Sequence, residues 1–288
     1  MTAEDRVTLD PAVFDPFVRY SLYNSPYPAH DGGCAVDLYR DPDRPTGDED
    51  APSPVAGEVL ETTSRRVPAK SYAEVEDHVI LLDCGELVAR VLHVDPSVEP
   101  GDHVERGDSL GRMVRSGFFA PWVDNHLHLG FRRPDQHLLR AGGSLRLELP
   151  PEVRPDPVEW DGTGRVREVG ETYVLLDTPE QTGGWTGIAA DEEGVLDGGL
   201  AHYTGGGLHD GPDGSVSLLG SDLGTVADRT VAWSDFDVLA NGERVTGLSL
   251  FVARDDPGVK VVCPDHSFAV GDRVEVGFRE SDDPIRLG

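Results

Sequence analysis

The stretch Val98-Glu-Pro-Gly-Asp-His-Val-Glu-Arg-Gly-Asp-Ser-Leu-Gly111 carries two turn signals, Pro100-Gly101-Asp102 and Arg106-Gly107-Asp108. So few residues lie between them that only a very short strand fits there. The chain around this stretch keeps to the same pattern. Upstream, Pro54-Val-Ala-Gly-Glu-Val-Leu60 enters a strand through a turn. Residues 78–83 and 86–94 read as a hairpin joined at Cys84-Gly85. Earlier still, residues 34–40 (Cys-Ala-Val-Asp-Leu-Tyr-Arg) read as a short strand, and the Asp/Pro/Gly-rich 41–53 as a loop. Downstream, His126-Leu-His-Leu-Gly-Phe-Arg132 alternates with the period of a strand.

No part of the chain shows a long helical period, and 34 Gly with 22 Pro favour turns and short strands. The fold class expected is mostly β in two domains. Residues 1–29 form an irregular lead-in packing on the first domain, which runs over 30–145. A Pro-rich linker follows at 146–157, and then a second β-rich domain over 158–288. In that second domain, residues 164–168 and 172–177 predict a hairpin. It echoes Gly57-Glu-Val-Leu-Glu61 with His78-Val-Ile-Leu-Leu-Asp83, a likeness that any two β-hairpins can share. The Gly/Asp-rich stretch 183–214 reads as loop. Strands are expected near 215–219, 229–233, 247–253, 259–263 and 273–279.

The chain carries 53 Asp+Glu against 25 Lys+Arg, a net charge of −28. That argues against nucleic-acid and anionic-membrane partners, which need a positive face. Lys70 and Lys260 are the only lysines, and the acids are spread along the whole chain. This composition resembles that of salt-in halophilic archaea, in which surface carboxylates keep a protein hydrated. The opening Met-Thr-Ala-Glu-Asp has no basic stretch followed by an apolar one, so a cytoplasmic protein is expected. Cys34, Cys84 and Cys263 are too few and too far apart for a disulfide framework or a CxxC zinc site, and are expected as buried free thiols.

His126-Leu127-His128 carries the most chemistry. Alternation puts both imidazoles on one face of a strand, where they can hold a metal or divide metal binding and proton transfer between them. HxH alone is common, and a solvated strand face explains it as well. Its context is more specific: the Pro54–Val59 turn-strand, His93 at the end of a hairpin, the double turn Val98–Gly111 and then His126–Phe131 occur in that order. The order resembles the lysostaphin-type (LytM-like) zinc metallopeptidases, members of the duplicated hybrid motif folds, over about residues 30–133. The double turn also occurs in biotinyl- and lipoyl-type domains and speaks only for architecture.

The resemblance implies one Zn²⁺ held by His30, Asp37 and His128, with His93 and His126 as the catalytic histidines that orient and deprotonate water and stabilise the oxyanion. The substrate it implies is a peptide or amide. One position departs from the family pattern, which places a His four residues before the Asp, where Gly33 stands here. Either a Gly32-Gly33 loop brings His30 to the metal, or the site has lost a ligand and the chain is a non-catalytic binding or scaffold protein on the same fold. A carrier reading wants an exposed Lys in a hairpin turn, and Lys70 lacks the usual flanking Met. A phosphotransfer reading needs two facing histidines, for which His93 and His126 could serve, but HxH beside Asp37 suits a metal better.

His78, His103 and His137 read as surface residues. The aromatics of Ser116-Gly-Phe-Phe-Ala-Pro-Trp122 read either as core packing or as the wall of a substrate groove. Ala201-His-Tyr-Thr-Gly-Gly-Gly-Leu-His209 reads as a flexible surface loop, or as a loop reaching over the first-domain cleft.

Overall fold

Each of the two Gly-Asp turns is closed from both sides. In the first, Asp102 N donates to Glu99 O at 3.0 Å while Asp102 Oδ2 accepts from Glu99 N at 2.8 Å. In the second, Asp108 N donates to Glu105 O at 3.1 Å and Asp108 Oδ2 accepts from Glu105 N at 2.8 Å. Gly101 and Gly107 have φ of +96° and +91°, the left-handed conformation that glycine adopts without a steric cost. The turns then dock on their neighbours. Gly101 N bonds Val59 O and Val59 N bonds Asp102 O, both at 2.8 Å, and Gly107 N with Asp108 O brackets Ser53 in the same way.

The computed structural model describes residues 6–41, 50–180, 183–254 and 258–287. Residues 42–49 of the expected loop 41–53, and residues 1–5 of the expected lead-in, lie outside the described residues. The chain divides into two compact units, Met1–Tyr20 with Cys34–Glu152, and Ser21–Gly33 with Val153–Gly288. The lead-in expected over 1–29 is therefore shared between them. Its described part holds β1 (Arg6–Thr8), a 3-10 turn at Pro11–Phe14 capped by Asp10, and β2 (Arg19–Ser21). Phe14, Phe17 and Tyr20 are buried.

The remaining strands of the first unit are β3 (Ala35–Tyr39), β4 (Asp50–Pro52), β5 (Gly57–Arg66), β6 (Glu76–Asp83), β7 (Val88–Leu92), β8 (Val94–Pro96), β9 (His103–Val104), β10 (Ser109–Met113), β11 (Leu127–Arg132) and β12 (Arg146–Glu148). They build an antiparallel run in the order β3-β11-β7-β6-β5-β9, a small sheet β4-β10-β8, and a parallel pair β1-β12. The stretch expected as a linker thus begins as a strand, and Leu147 and Leu149 are buried. β6 and β7 form the expected hairpin, with Gly85 at φ +91° in its turn.

The second unit holds β13 (Asp156–Val158), β14 (Thr163–Val169), β15 (Tyr173–Leu176), β16 (Trp185–Ile188), β17 (Val195–Leu200), β18 (Gly205–His209), β19 (Gly214–Leu218), β20 (Ser221–Ala227), β21 (Thr230–Trp233), β22 (Phe236–Ala240), β23 (Glu243–Val245), β24 (Gly247–Leu250), β25 (Val252–Arg254), β26 (Val259–Val262) and β27 (Arg273–Glu280). Twelve of them form one sheet in the order β19-β20-β21-β18-β17-β24-β26-β15-β14-β27-β22-β23. A core that includes Val166, Leu176, Leu196, Leu208, Leu248, Val261 and Val274 fills this unit. Three of its strands correct the reading of 183–214 as loop. The glycines there serve close packing: a Cβ on Gly207 would sit 2.0 Å from the Tyr23 ring, and one on Gly206 2.4 Å from Trp233.

The β14–β15 hairpin repeats the β5–β6 hairpin in detail. Val59 pairs with Leu82 and Glu61 with Leu81, skipping Leu60; Val166 pairs with Leu176 and Glu168 with Leu175, skipping Arg167. The docked turn recurs as well. Gly271 N bonds Val166 O at 2.8 Å, Val166 N bonds Asp272 O at 2.9 Å, and Asp272 Oδ2 accepts from Ala269 N at 2.8 Å. Each unit is therefore β-rich and carries the same hairpin-and-turn unit. Among the described residues no helix is long and apolar enough to cross a membrane.

Candidate functional site

Three neighbouring strands of the first unit bring Asp37, His93, His126 and His128 together. In the pairing of β11 with β3, His128 lies directly opposite Asp37, and in the pairing with β7 it lies opposite Leu92. Directly opposite residues share a sheet face. His126, two residues before His128, falls on the same side, as the alternation predicts. His93 follows Leu92 at the end of β7.

A single carboxylate joins two of these imidazoles. Asp37 Oδ1 is 2.9 Å from His128 Nδ1, and Asp37 Oδ2 is 3.4 Å from His126 Nε2. All three residues are buried. The His126 ring is fixed from behind, since its Nδ1 lies 2.9 Å from the carbonyl of Asp124, which can only accept. Nδ1 therefore carries a proton, and Nε2 faces Asp37. Phe119 stacks on the same ring at 4.4 Å, and Tyr39 lies against it at 5.0 Å.

The third imidazole has its own carboxylate. His93 Nδ1 is 2.7 Å from Asp77 Oδ2, and Ser116 Oγ donates to that same oxygen at 2.8 Å. Burial acts to raise the pKa of Asp77, but the charge and hydrogen bond of His93, the Ser116 hydroxyl and the His78 amide outweigh it, and the pKa falls to about 2. Asp77 thus accepts the Nδ1 proton of His93. The His93 ring lies 5.2 Å from that of His126 and 5.9 Å from that of His128. Its backbone is held in the left-handed region at φ +67°, which is uncommon outside glycine, with its N–H on His78 O and its carbonyl on Val114 N. A non-glycine residue kept in that conformation is the kind of strain that gathers at functional sites.

His30 is buried in the second unit, and its Nδ1 lies 2.9 Å from the carbonyl of Leu22. That carbonyl also fixes the tautomer, leaving the lone pair on Nε2, the arrangement usual for metal-binding imidazoles. The segment carrying His30 is anchored within its own unit. Asp197 is buried, accepts from Leu22 N at 2.7 Å and from the Ser21 hydroxyl, and lies 3.0 Å from His209 Nε2.

Sequence reading missed Asp77 and Ser116, because one carboxylate among 53 acidic residues carries no signal. Phe119 is buried, as the core-packing reading expects, and its ring packs on His126. His78, expected on the surface, is buried, with Nδ1 2.9 Å from Ser64 Oγ. His103 and His137 are exposed, as expected. The expected surface loop 201–209 is likewise corrected. His202 and His209 are buried, and burial, then the charge of Arg286, pushes the pKa of His202 down to about 3. All three cysteines are free, but only Cys263 is buried.

No curated protein and no solved structure matches the chain. Family comparison does find a match. Residues 8–149 match the model described as the N-terminal domain of a domain of unknown function, DUF8155, and residues 156–279 match that of its C-terminal domain. Asp77, His93, His126 and His128 fall inside the first match, as do Asp37 and His30. Carrying both halves in order over nearly its whole length, the chain belongs to the DUF8155 family.

Proposed function

We propose that this chain is a zinc-dependent hydrolase of a peptide or amide bond, with Asp37, His128 and His30 holding the metal and His93 and His126 handling protons. The observation that carries the reading is the Asp37 carboxylate set between two buried imidazoles, beside a third imidazole that is backed by its own carboxylate. The donors suit zinc, which binds imidazole nitrogen and carboxylate oxygen. Asp37 Oδ1 and His128 Nδ1, 2.9 Å apart, would need to open only slightly. Two ligand atoms of a tetrahedral zinc lie roughly 3.3 Å apart, from its usual bond lengths. The fixed tautomer of His30 leaves the Nε2 lone pair that a third ligand needs. Zinc bound by three protein ligands supplies a Lewis acid that polarises a carbonyl and lowers the pKa of water.

The protein's own groups do the rest. His93 Nε2 takes up a proton, while Asp77 keeps Nδ1 protonated and stabilises the imidazolium that forms. His126 presents Nε2 on the other side of Asp37 and steadies charge that develops on the substrate oxygen once it is protonated. Phe119 covers the His126 ring and excludes water from it.

Zinc content tests the reading. The protein is purified in high salt without chelator or His tag and analysed for zinc per chain, beside His128→Ala and His30→Ala. One zinc per chain, lost in His128→Ala and weakened at least tenfold in His30→Ala while circular dichroism stays unchanged, is the expected result. Screening of peptides and amides then follows. A wild-type protein that takes up no zinc even when it is added back overturns the reading and leaves a non-catalytic binding module.

A further inference from the structure

Two cations of the first unit converge on one aromatic ring beside the histidine cluster. Lys70 Nζ lies 5.7 Å from the centre of the Tyr72 ring, and Arg115 Cζ lies 5.3 Å from it. The same three side chains hold the segment 116–122. Lys70 Nζ donates to Phe119 O at 3.3 Å, the Tyr72 hydroxyl donates to that carbonyl at 3.0 Å, and Arg115 Nη2 donates to Pro121 O at 2.7 Å. The ring of Phe119 is the one stacked on His126. The cations are therefore a single residue away from the wall of the site.

Neither Lys70 nor Arg115 has a carboxylate within ion-pair distance among the described residues. Arg6, Arg19, Arg40, Arg106 and Arg112 of the same unit each pair with an Asp or Glu, whereas the buried Arg90 and Arg132 bond Ser144 and the Arg140 carbonyl instead. An anion that reaches these two cations, Lys70 and Arg115, gains charge-assisted hydrogen bonds. Lys70 is also the only exposed lysine, since Lys260 is buried. Apolar surface lies on the same two segments, at Val75 and Phe118, which are 53% and 42% exposed.

Resting on the hydrolase reading, we propose that Lys70 and Arg115, set around Tyr72, form a subsite for a carboxylate of the substrate. The substrate class is then a peptide or amide that carries a carboxylate close to the bond to be cut, with an apolar side chain beside it. A carboxylate is the anion that a peptide itself supplies. The carbonyls of Ala120 and Pro121 orient the Arg115 guanidinium while leaving it without a negative partner.

The test uses N-acetyl-glycyl-glycine and its C-terminal amide as probes, with inorganic phosphate as a third arm. Binding is followed by NMR shifts of the protein in moderate salt, for the wild type and for the double variant Lys70→Gln/Arg115→Gln. The acid is expected to bind at least tenfold more tightly than the amide. That preference disappears in the double variant, whose zinc content matches the wild type. Equal binding of acid and amide, an unchanged preference in the variant, or tighter binding of phosphate than of the acid overturns the subsite. If the wild type holds no zinc and yet loses its acid preference in the variant, the subsite stands and only the hydrolase reading falls.

Discussion

Asp77 shows how one side chain organises its surroundings. It accepts from His93, Ser116 and the His78 amide, all in a buried position. Removing one partner of such a buried pair leaves the other uncompensated, a loss of about 3–5 kcal/mol. Asp77→Ala should therefore cost several kcal/mol in urea unfolding, and Ser116→Ala only about 1 kcal/mol. The pH dependence follows from the folded pKa of about 2. Because that value is depressed, the stabilisation is fully present above the unfolded carboxylate value of about 3.9 and is lost as pH falls towards 2. Wild type and Asp77→Asn should thus differ in unfolding free energy at pH 5 and converge near pH 2. A constant difference across that window would show that the Asp77 charge contributes nothing. His126 and His128 were legible as candidates because strand alternation exposes them, and Asp37 and His93 through the resemblance to a known family. Asp77 was not, because its meaning comes from a neighbouring strand.

At the scale of elements, turns and hairpins were the legible part. The Gly-Asp turns, the β6–β7 hairpin and the alternation of β11 follow from local chemistry that a short window contains. The glycine-rich strands did not follow from it. Gly205-Gly206-Gly207 reads locally as flexibility, whereas its role is to let Trp233 and Tyr23 approach the backbone, which only the fold reveals. Gly117 works in the same way next to the site: a Cβ there would lie 2.0 Å from the backbone carbonyl of Pro68. That carbonyl cannot swing aside as a side-chain end can. Gly117→Ala should destabilise the protein by about 1–3 kcal/mol, the usual cost of overpacking. It should also disturb the packing of Phe119 on His126, read as a shift of the His126 ring resonances. A variant as stable as the wild type, with those resonances unmoved, would show that the segment 116–122 adjusts freely.

Over the whole molecule, the sequence echo between residues 57–83 and 164–177 has a structural counterpart. Each unit carries a bulged hairpin clasped by a Gly-Asp turn. In unit one this frame stands beside the histidine cluster. The matching strands of unit two bury Val166, Leu175 and Leu176 and carry neither His nor Asp. The hairpin is shared, and the first unit alone sets Asp77 on it beside the histidine cluster. The net charge of −28 acts on the chain as a whole. Ion pairs such as Arg112–Glu74 neutralise only some of the acids, and the remainder repel one another in the folded state. Salt shortens the range of that repulsion from about 10 Å at 0.1 M to about 3 Å at 1 M. Hydrophobic burial is not weakened by the same change, so the balance moves towards the folded chain. The melting temperature should therefore rise steadily from 0.1 M to 2 M KCl, with most of the gain below about 1 M, where screening changes fastest. A melting temperature that is flat or falls over that range would mean that the surface carboxylates are already compensated by the arginines they face.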